Sequence, residues 1–297
     1  MKNEFELAAY LRLRREMVDE ALERFLPPLE TIEARVVEAM RYSLFAKGKR
    51  LRPILCLAAA EAVGGLAENA LPVACALEMI HTYSLIHDDL PAMDDDELRR
   101  GIPTSHKVFG EAMAILAGDA LLTEAFHLLS RVDTMPSSTA VRIIEVIAAA
   151  ASYRGMVGGQ AVDMLWQNTT ADIELVRYLH RKKTAALIGA SLETGAMVGG
   201  GSEEQIGALK RYGHAIGLAF QIVDDVLDIE GDPAVLGKRT GVDVARGKAT
   251  YPALLGLEQS QVEAEEKVAD ALAALHGFDD RVKPLRAIAR YILTRKR

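Results

Sequence analysis

Two clusters of aspartates rise out of otherwise apolar sequence. The first is Asp88-Asp89-Leu90-Pro91-Ala92-Met93-Asp94-Asp95-Asp96 and the second is Asp224-Asp225-Val226-Leu227-Asp228. Carboxylates crowded in this way repel one another and resist burial, so cations must accompany them. Each cluster closes an apolar run that reads as helix, residues 83–86 before the first and 218–223 before the second. The C-terminal end of a helix already disfavours anions. A solvated acidic loop gains nothing from that placement, whereas a bound cation offsets it. Asp224 and Asp228 are spaced i, i+4 and share a helix face, with Asp225 about 100° away. No His/Cys spacing suits zinc. His81 and His87 stand too far apart along a helix for joint ligation, and the EF-hand pattern is absent. A sparse set of carboxylates suits Mg²⁺, which keeps waters and bridges protein to phosphate. Magnesium in turn implies a phosphorylated substrate, most simply a diphosphate between the two clusters.

A diphosphate also needs direct cationic partners. Arg99-Arg100 follows the first cluster. Gly48-Lys49-Arg50-Leu51-Arg52-Pro53 is a basic turn at the start of a helix, whose N–H groups add an anion site. Lys182-Lys183-Thr184 interrupts an apolar helix, and Lys238-Arg239 and Lys248-Ala249-Thr250 follow the second cluster. Singly, each reads as surface charge; their closeness to the acidic clusters sets them apart. No P-loop pattern is present, so a nucleotide is not indicated.

The elements that must position these groups read as helix after helix. The chain has 297 residues, half of them hydrophobic but only 5% aromatic, a balance that favours helices over strands. Apolar periodicity predicts helices over 30–45, 51–63, from an Asn69 N-cap to about 89, and over 110–130, 138–165, 172–198, 203–229, 251–275 and 279–293. Pro91 ends the helix that carries the first cluster. Residues 231–247, rich in glycine, read as a long functional loop. No strand alternation and no linker interrupts this pattern, so one all-α domain over 1–297 is expected. A net charge of −7 weighs against a nucleic-acid partner. The longest stretch free of Asp, Glu, Lys and Arg, 212–223, falls short of the roughly 18–20 apolar residues that cross a membrane. No apolar signal segment opens the chain, and Cys56 and Cys75 sit in apolar surroundings as reduced core residues. A soluble, cytoplasmic protein is expected.

Together these motifs resemble the trans-prenyltransferases, the short-chain isoprenyl diphosphate synthases, and within them the bacterial farnesyl diphosphate synthase branch. Asp88 to Asp94 matches the DDxxxxD motif and continues into Glu97-Leu98-Arg99-Arg100-Gly101. Asp224 to Asp228, after Phe220-Gln221, matches DDxxD. The Gly-Lys-Arg-x-Arg-Pro, Lys-Thr and Gly-Lys motifs fall at Gly48–Pro53, Lys183-Thr184 and Gly237-Lys238. The likeness extends from about residue 41 to 297, without departure at these positions. It implies an all-α bundle of antiparallel helices around a deep central cavity, usually as a homodimer. It further implies Mg²⁺-dependent condensation of isopentenyl diphosphate with dimethylallyl or geranyl diphosphate by ionisation, condensation and elimination.

By the same resemblance, three Mg²⁺ ions are held by Asp88, Asp94 and Asp224, with Asp89 and Asp228 in support. Arg99, Lys183 and Lys238 bind the allylic diphosphate, and Thr184, Gln221 and the Lys183 carbonyl steady the allylic cation. Gly48, Lys49, Arg52, His81 and Arg100 form the isopentenyl diphosphate site. The basic end Arg295-Lys296-Arg297 is either a lid or a frayed tail. Tyr83 and Ser84, five and four positions before Asp88, lie about one turn deeper, and Tyr83 reads as a floor that stops the product at C15, farnesyl diphosphate. A C20 product is the alternative. Less favoured are a class I terpene cyclase, which has no use for the 48–52 turn, a non-catalytic synthase subunit, which usually lacks one intact aspartate motif, and an acidic helical scaffold.

Overall fold

The computed structural model describes residues 5–166, 171–230 and 249–295. Its first helix, α1 (Leu7–Phe25), is absent from the sequence expectations. It is charged on most sides and buries only Val18, Ala21 and Leu22, an i, i+3, i+4 seam that docks on α3 (Leu51–Ala62) and α4 (Ala67–Asp88). Between them, α2 (Ala34–Leu44) starts four residues later than its apolar stripe suggested.

The centre of the bundle is α3, α4, α10 (Ala186–Val198) and α11 (Glu203–Glu230). Helix α4 is buried along most of its length, with Glu78 the charge set in its apolar middle. Such a helix must be surrounded on all sides. Small residues let its neighbours close in: Ala58, Ala59, Ala60, Ala70, Ala74, Ala76 and Ala196 are all buried in one contiguous core that runs from Val18 to Ile292. Asn69 lies inside α4 rather than capping it, since the helix already begins at Ala67.

Three predicted helices are interrupted. Residues 138–165 form α7 (Ser137–Ala151) and α8 (Met156–Leu165), parted at Gly155 by a φ of −129° and ψ of −121°. Residues 172–198 begin as α9 (Ile173–Leu179) and widen to a π-helical turn, His180–Ala185, before α10. Residues 251–275 break at Gly256, whose positive φ separates α12 (Tyr251–Leu255) from α13 (Leu257–Ala274). A 3₁₀ turn, Asp280–Val282, leads into α14 (Lys283–Thr294).

Helices α5 (Ser105–Phe109) and α6 (Glu111–Ser130) follow a feature the sequence pattern did not suggest, a two-stranded antiparallel ribbon of β1 (Leu98–Arg99) and β2 (Ile102–Pro103). Among the described helices, α6 is the one long and apolar enough to cross a membrane by length and composition. It carries Asp119 and Glu124 and packs along α4. Cys56 and Cys75 are free and buried.

Candidate active site

The first aspartate cluster is folded back on itself. Asp88 is the last residue of α4, and Asp89 caps it. Residues 90–93 turn tightly, with Met93 N–H donating to Leu90 O at 2.9 Å and Asp95 N–H to Leu90 O at 3.1 Å. Asp95 takes a left-handed φ of 48°. The turn closes when Asp94 N–H donates to Asp88 O at 2.9 Å, so the four-residue spacer brings Asp94 back beside Asp88. Asp89 turns the other way and is buried, receiving Arg99 Nε at 2.6 Å and Arg99 Nη2 at 2.5 Å.

The ribbon divides two adjacent arginines between two tasks. Arg100 and Gly101, its turn residues, both have positive φ, 54° and 82°, as a type I′ hairpin turn requires. Arg99 therefore faces the aspartates, while Arg100 Nη1 donates to Ala46 O at 3.2 Å, beside the basic turn. A side chain at Gly48 would meet the Arg100 guanidinium at 2.7 Å. Arg52 and His81 complete this group and line the same cavity. Burial lowers Arg52 to about 10, Glu78 opposing that shift and Arg100 adding to it. Burial, with Arg52 and Arg100 close by, holds His81 well below its usual range, hence neutral. Arg52 Nε has no hydrogen-bond partner among the described residues and no access to solvent.

Lys183 and Thr184 lie on the π-helical turn, a distortion frequent at functional sites. Gly159 of α8 permits it: a Cβ there would stand 2.5 Å from Lys183 N. The two neighbouring lysines of this turn have different partners. Lys182 Nζ donates to Arg154 O at 2.9 Å. Lys183 Nζ bonds Asp163 Oδ2 at 2.8 Å, and although burial opposes its charge, Asp163 and Asp88 raise its pKa. Thr184 Oγ1 donates to Gln221 Oε1 at 2.9 Å.

Gln221 is one turn before the second cluster, where the three aspartates differ in surroundings. Asp224 is the most exposed and receives Arg295 Nη2 at 2.7 Å. Asp225 is buried and accepts Tyr251 N–H at 3.1 Å and Gln221 Nε2 at 3.3 Å, with His180 Nε2 at 3.5 Å. Asp228 is also buried. Asp225 thereby fixes the Gln221 amide with its oxygen toward Thr184. Arg295 is no frayed end: its guanidinium also lies over the Phe220 ring at 3.8 Å and donates to Phe220 O at 2.7 Å. Lys238, with Gly237 and Arg239, lies outside the described residues, as do Lys248, Lys296 and Arg297.

A cavity of about 590 Å³ lies between the end of α4 and the π-helical turn, within the roughly 300–1,000 Å³ of small-molecule sites; Gln221, the second aspartate cluster, Arg99, Arg100, Gly48 and Lys49 are not part of its lining. Asp88, Lys183, Thr184, Arg52 and His81 supply its polar wall, and Tyr83, Ser84, Leu90, Met93, Met156 and Met164 line its remainder. Tyr83 is buried and meets the His87 ring edge-on at 5.8 Å. Ser84 turns its hydroxyl back to His81 O at 2.8 Å, leaving no donor for the cavity. A wider groove of about 1430 Å³ between α9, α11 and α13 is lined by Lys182 but by none of the aspartates or other cations singled out from the sequence.

The donors fit magnesium. Burial above all, with the nearby Asp94 and Asp89 carboxylates, raises Asp88 to about 6 despite Lys183 and Arg99, so its carboxylate would gain from a further cation. Among the described residues no three acidic, histidine or cysteine side chains form a ready-made cage. Such a site suits a hard cation that takes its other oxygens from water and substrate phosphate.

Two residues here were not predicted from the sequence, Gln160 and Asp163. They are the two polar side chains of α8, Met-Val-Gly-Gly-Gln-Ala-Val-Asp-Met-Leu, spaced i, i+3 on one face, and that isolation was a usable signal. Removing the charge that holds Lys183 should be costly. Asp163→Asn is expected to lower kcat/KM for the allylic substrate roughly 10- to 100-fold and leave KM for the second substrate unchanged, in initial rates with each substrate varied in turn.

Comparison with known proteins adds an independent finding. A family model described as polyprenyl synthetase matches residues 33–288. The farnesyl diphosphate synthase of Geobacillus stearothermophilus is 50% identical over 262 residues, 88% of this chain and 86% of that one. The chloroplastic geranylgeranyl pyrophosphate synthase 7 of Arabidopsis thaliana is 48% identical over 298 residues, 99% and 85% of the two chains. The crystal structure of geranylgeranyl pyrophosphate synthetase from Pyrococcus horikoshii superposes with a TM-score of 0.89 at 33% identity, covering 97% of this chain and 98% of the other.

Proposed function

Since this chain belongs to the polyprenyl synthetase family and is a short-chain prenyltransferase, we propose that it condenses isopentenyl diphosphate with dimethylallyl and geranyl diphosphates to give farnesyl diphosphate. The observation that carries this reading is the single cavity with Asp88 and Lys183 on its polar wall and the buried Tyr83 ring among its apolar residues.

When bound, magnesium neutralises the allylic diphosphate and the charge that develops on it as it leaves. Asp88, Asp94 and Asp224 are the residues to hold it. Asp228 supports them from within α11, and Asp89 supports them by orienting Arg99. Arg99, Lys183 and Lys238 bind the same diphosphate and stabilise departing pyrophosphate, a charge preorganised in a site shielded from water. The allylic cation left behind meets oxygens rather than nucleophiles: the Thr184 hydroxyl, the Gln221 amide oxygen and the Lys183 carbonyl. Gly48, Lys49, Arg52, His81 and Arg100 hold isopentenyl diphosphate, with Arg52 and neutral His81 on the cavity wall. Its alkene attacks the cation, and pyrophosphate takes the proton released. The methionine-lined wall excludes water that would quench the cation.

Chain length follows from Tyr83. Its ring is fixed by α4 and by the edge of His87, one turn below Asp88. Tyr83→Ala should shift the main product from C15 to C20 or longer in reversed-phase chromatography of dephosphorylated products; an unchanged length would refute the floor. The whole chain acts as one catalytic unit in this reading. Leu116 of α6 and Val141 of α7 are exposed outside the cavity, and apolar exposure of this kind suits a subunit interface, here of a homodimer. The free, buried thiols suit a reducing, cytoplasmic setting.

A further inference from the structure

We propose that Arg50 and Glu78 are positioning residues for the isopentenyl diphosphate site: Arg50 is a strut that locks the 48–52 turn, and Glu78 is its buried anchor. The proposal rests on the assignment of Gly48, Lys49, Arg52, His81 and Arg100 to that substrate. Arg50 stands between two of the turn's cations yet points into the protein, only 4% exposed. Its Nε donates to Asp19 of α1 at 2.8 Å, and its Nη1 donates to Glu78 of α4 at 2.8 Å. One guanidinium thus ties α1 and α4 to the start of α3.

The backbone at Arg50 makes this anchoring necessary. Its φ is 51°, a left-handed conformation that a residue other than glycine keeps only when its surroundings impose it. The reversal leaves Lys49 exposed and begins α3 so that Arg52 reaches the cavity. Gly48 fits between two guanidiniums: a Cβ there would lie 2.7 Å from Arg100 Nη1 and 3.3 Å from Arg50 Nη1. Glu78 is 2% exposed, and its charge also opposes the effect of burial on Arg52 and Arg100. Because Arg50 and Glu78 neutralise each other, removing both leaves the net charge of the site unchanged. Arg50→Lys, which keeps Glu78 beside Arg52 and Arg100 as well as the charge at position 50, isolates the part of any loss that comes from geometry.

The test is steady-state kinetics on three variants, with thermal unfolding of each. A buried ion pair replaced by apolar residues of similar volume is often neutral for stability, so Arg50→Met/Glu78→Met should fold. It should raise KM for isopentenyl diphosphate about tenfold or more, with kcat within about threefold and KM for geranyl diphosphate within about twofold of the unmodified enzyme. Arg50→Lys keeps the charge but cannot span Asp19 and Glu78, and should raise the same KM; it decides the matter if the double variant fails to fold. Arg52→Met is the control for the site itself. If Arg52→Met raises KM for isopentenyl diphosphate while Arg50→Lys and a folded double variant do not, the strut is overturned and the site assignment stands. If Arg52→Met has no effect, the site assignment fails and the proposal with it. Equal losses for both substrates would reduce Arg50 to a general structural role and also overturn it.

Discussion

Asp88→Asn should lower turnover on the order of 10³-fold or more and raise the thermal midpoint of the metal-free protein at neutral pH. Both effects have one origin. Asp88 stands at the C-terminal end of α4, where the helix dipole, burial and neighbouring carboxylates all oppose its charge. Its pKa of about 6 lies above the ordinary aspartate value of 3.8. Between those values the folded state binds more protons than the unfolded chain, so the contribution of Asp88 to stability falls as pH rises through about 6. Asparagine removes that penalty. The stabilisation should therefore be largest above pH 6 and fade toward pH 4, in thermal melts with chelator present. Turnover goes the other way, because the carboxylate that strains the free protein is the one proposed to hold cation against the leaving diphosphate. A variant that lost activity and stability together would contradict this account.

Lys183→Met should lower kcat/KM for the allylic substrate on the order of 10²- to 10³-fold. Its neighbour provides the control: Lys182→Met should change it less than about twofold, since Lys182 donates to the Arg154 carbonyl. The difference lies in where the two side chains point. Adjacent residues already point about 100° apart on a helix, and on this turn Lys183 meets Asp163 while Thr184 meets Gln221. Initial rates for the two variants, with folding checked by circular dichroism, test the contrast directly. Similar losses in both would mean that local charge, not placement, matters.

The chemistry of this chain was legible where charge violates its surroundings. Asp88 and Asp224 stand out because carboxylates near the ends of apolar helices need an explanation, and the fold returns Asp94 to Asp88 through the Asp94 N–H to Asp88 O bond. The division of labour among adjacent residues was not legible. Lys49, Arg50 and Arg52 look alike in sequence, and only the left-handed turn at Arg50 sends one inward. Arg99 and Arg100 part company through a hairpin too short to show alternation. The π-helical turn adds one residue to a helix and leaves no mark on apolar periodicity. Helix α1 was overlooked because a three-residue seam is all it buries. Arg295, one of two readings at a basic tail, is held by an aspartate and an aromatic ring distant in sequence.

The most direct test of the central claim is product chromatography after incubating the full chain with geranyl diphosphate, isopentenyl diphosphate and Mg²⁺. The account predicts release of pyrophosphate and a dominant C15 allylic diphosphate, both requiring isopentenyl diphosphate and both abolished by chelator. A dominant C20 product would contradict the assignment of Tyr83 as the floor. Turnover of geranyl diphosphate that ignored isopentenyl diphosphate would contradict the condensation itself.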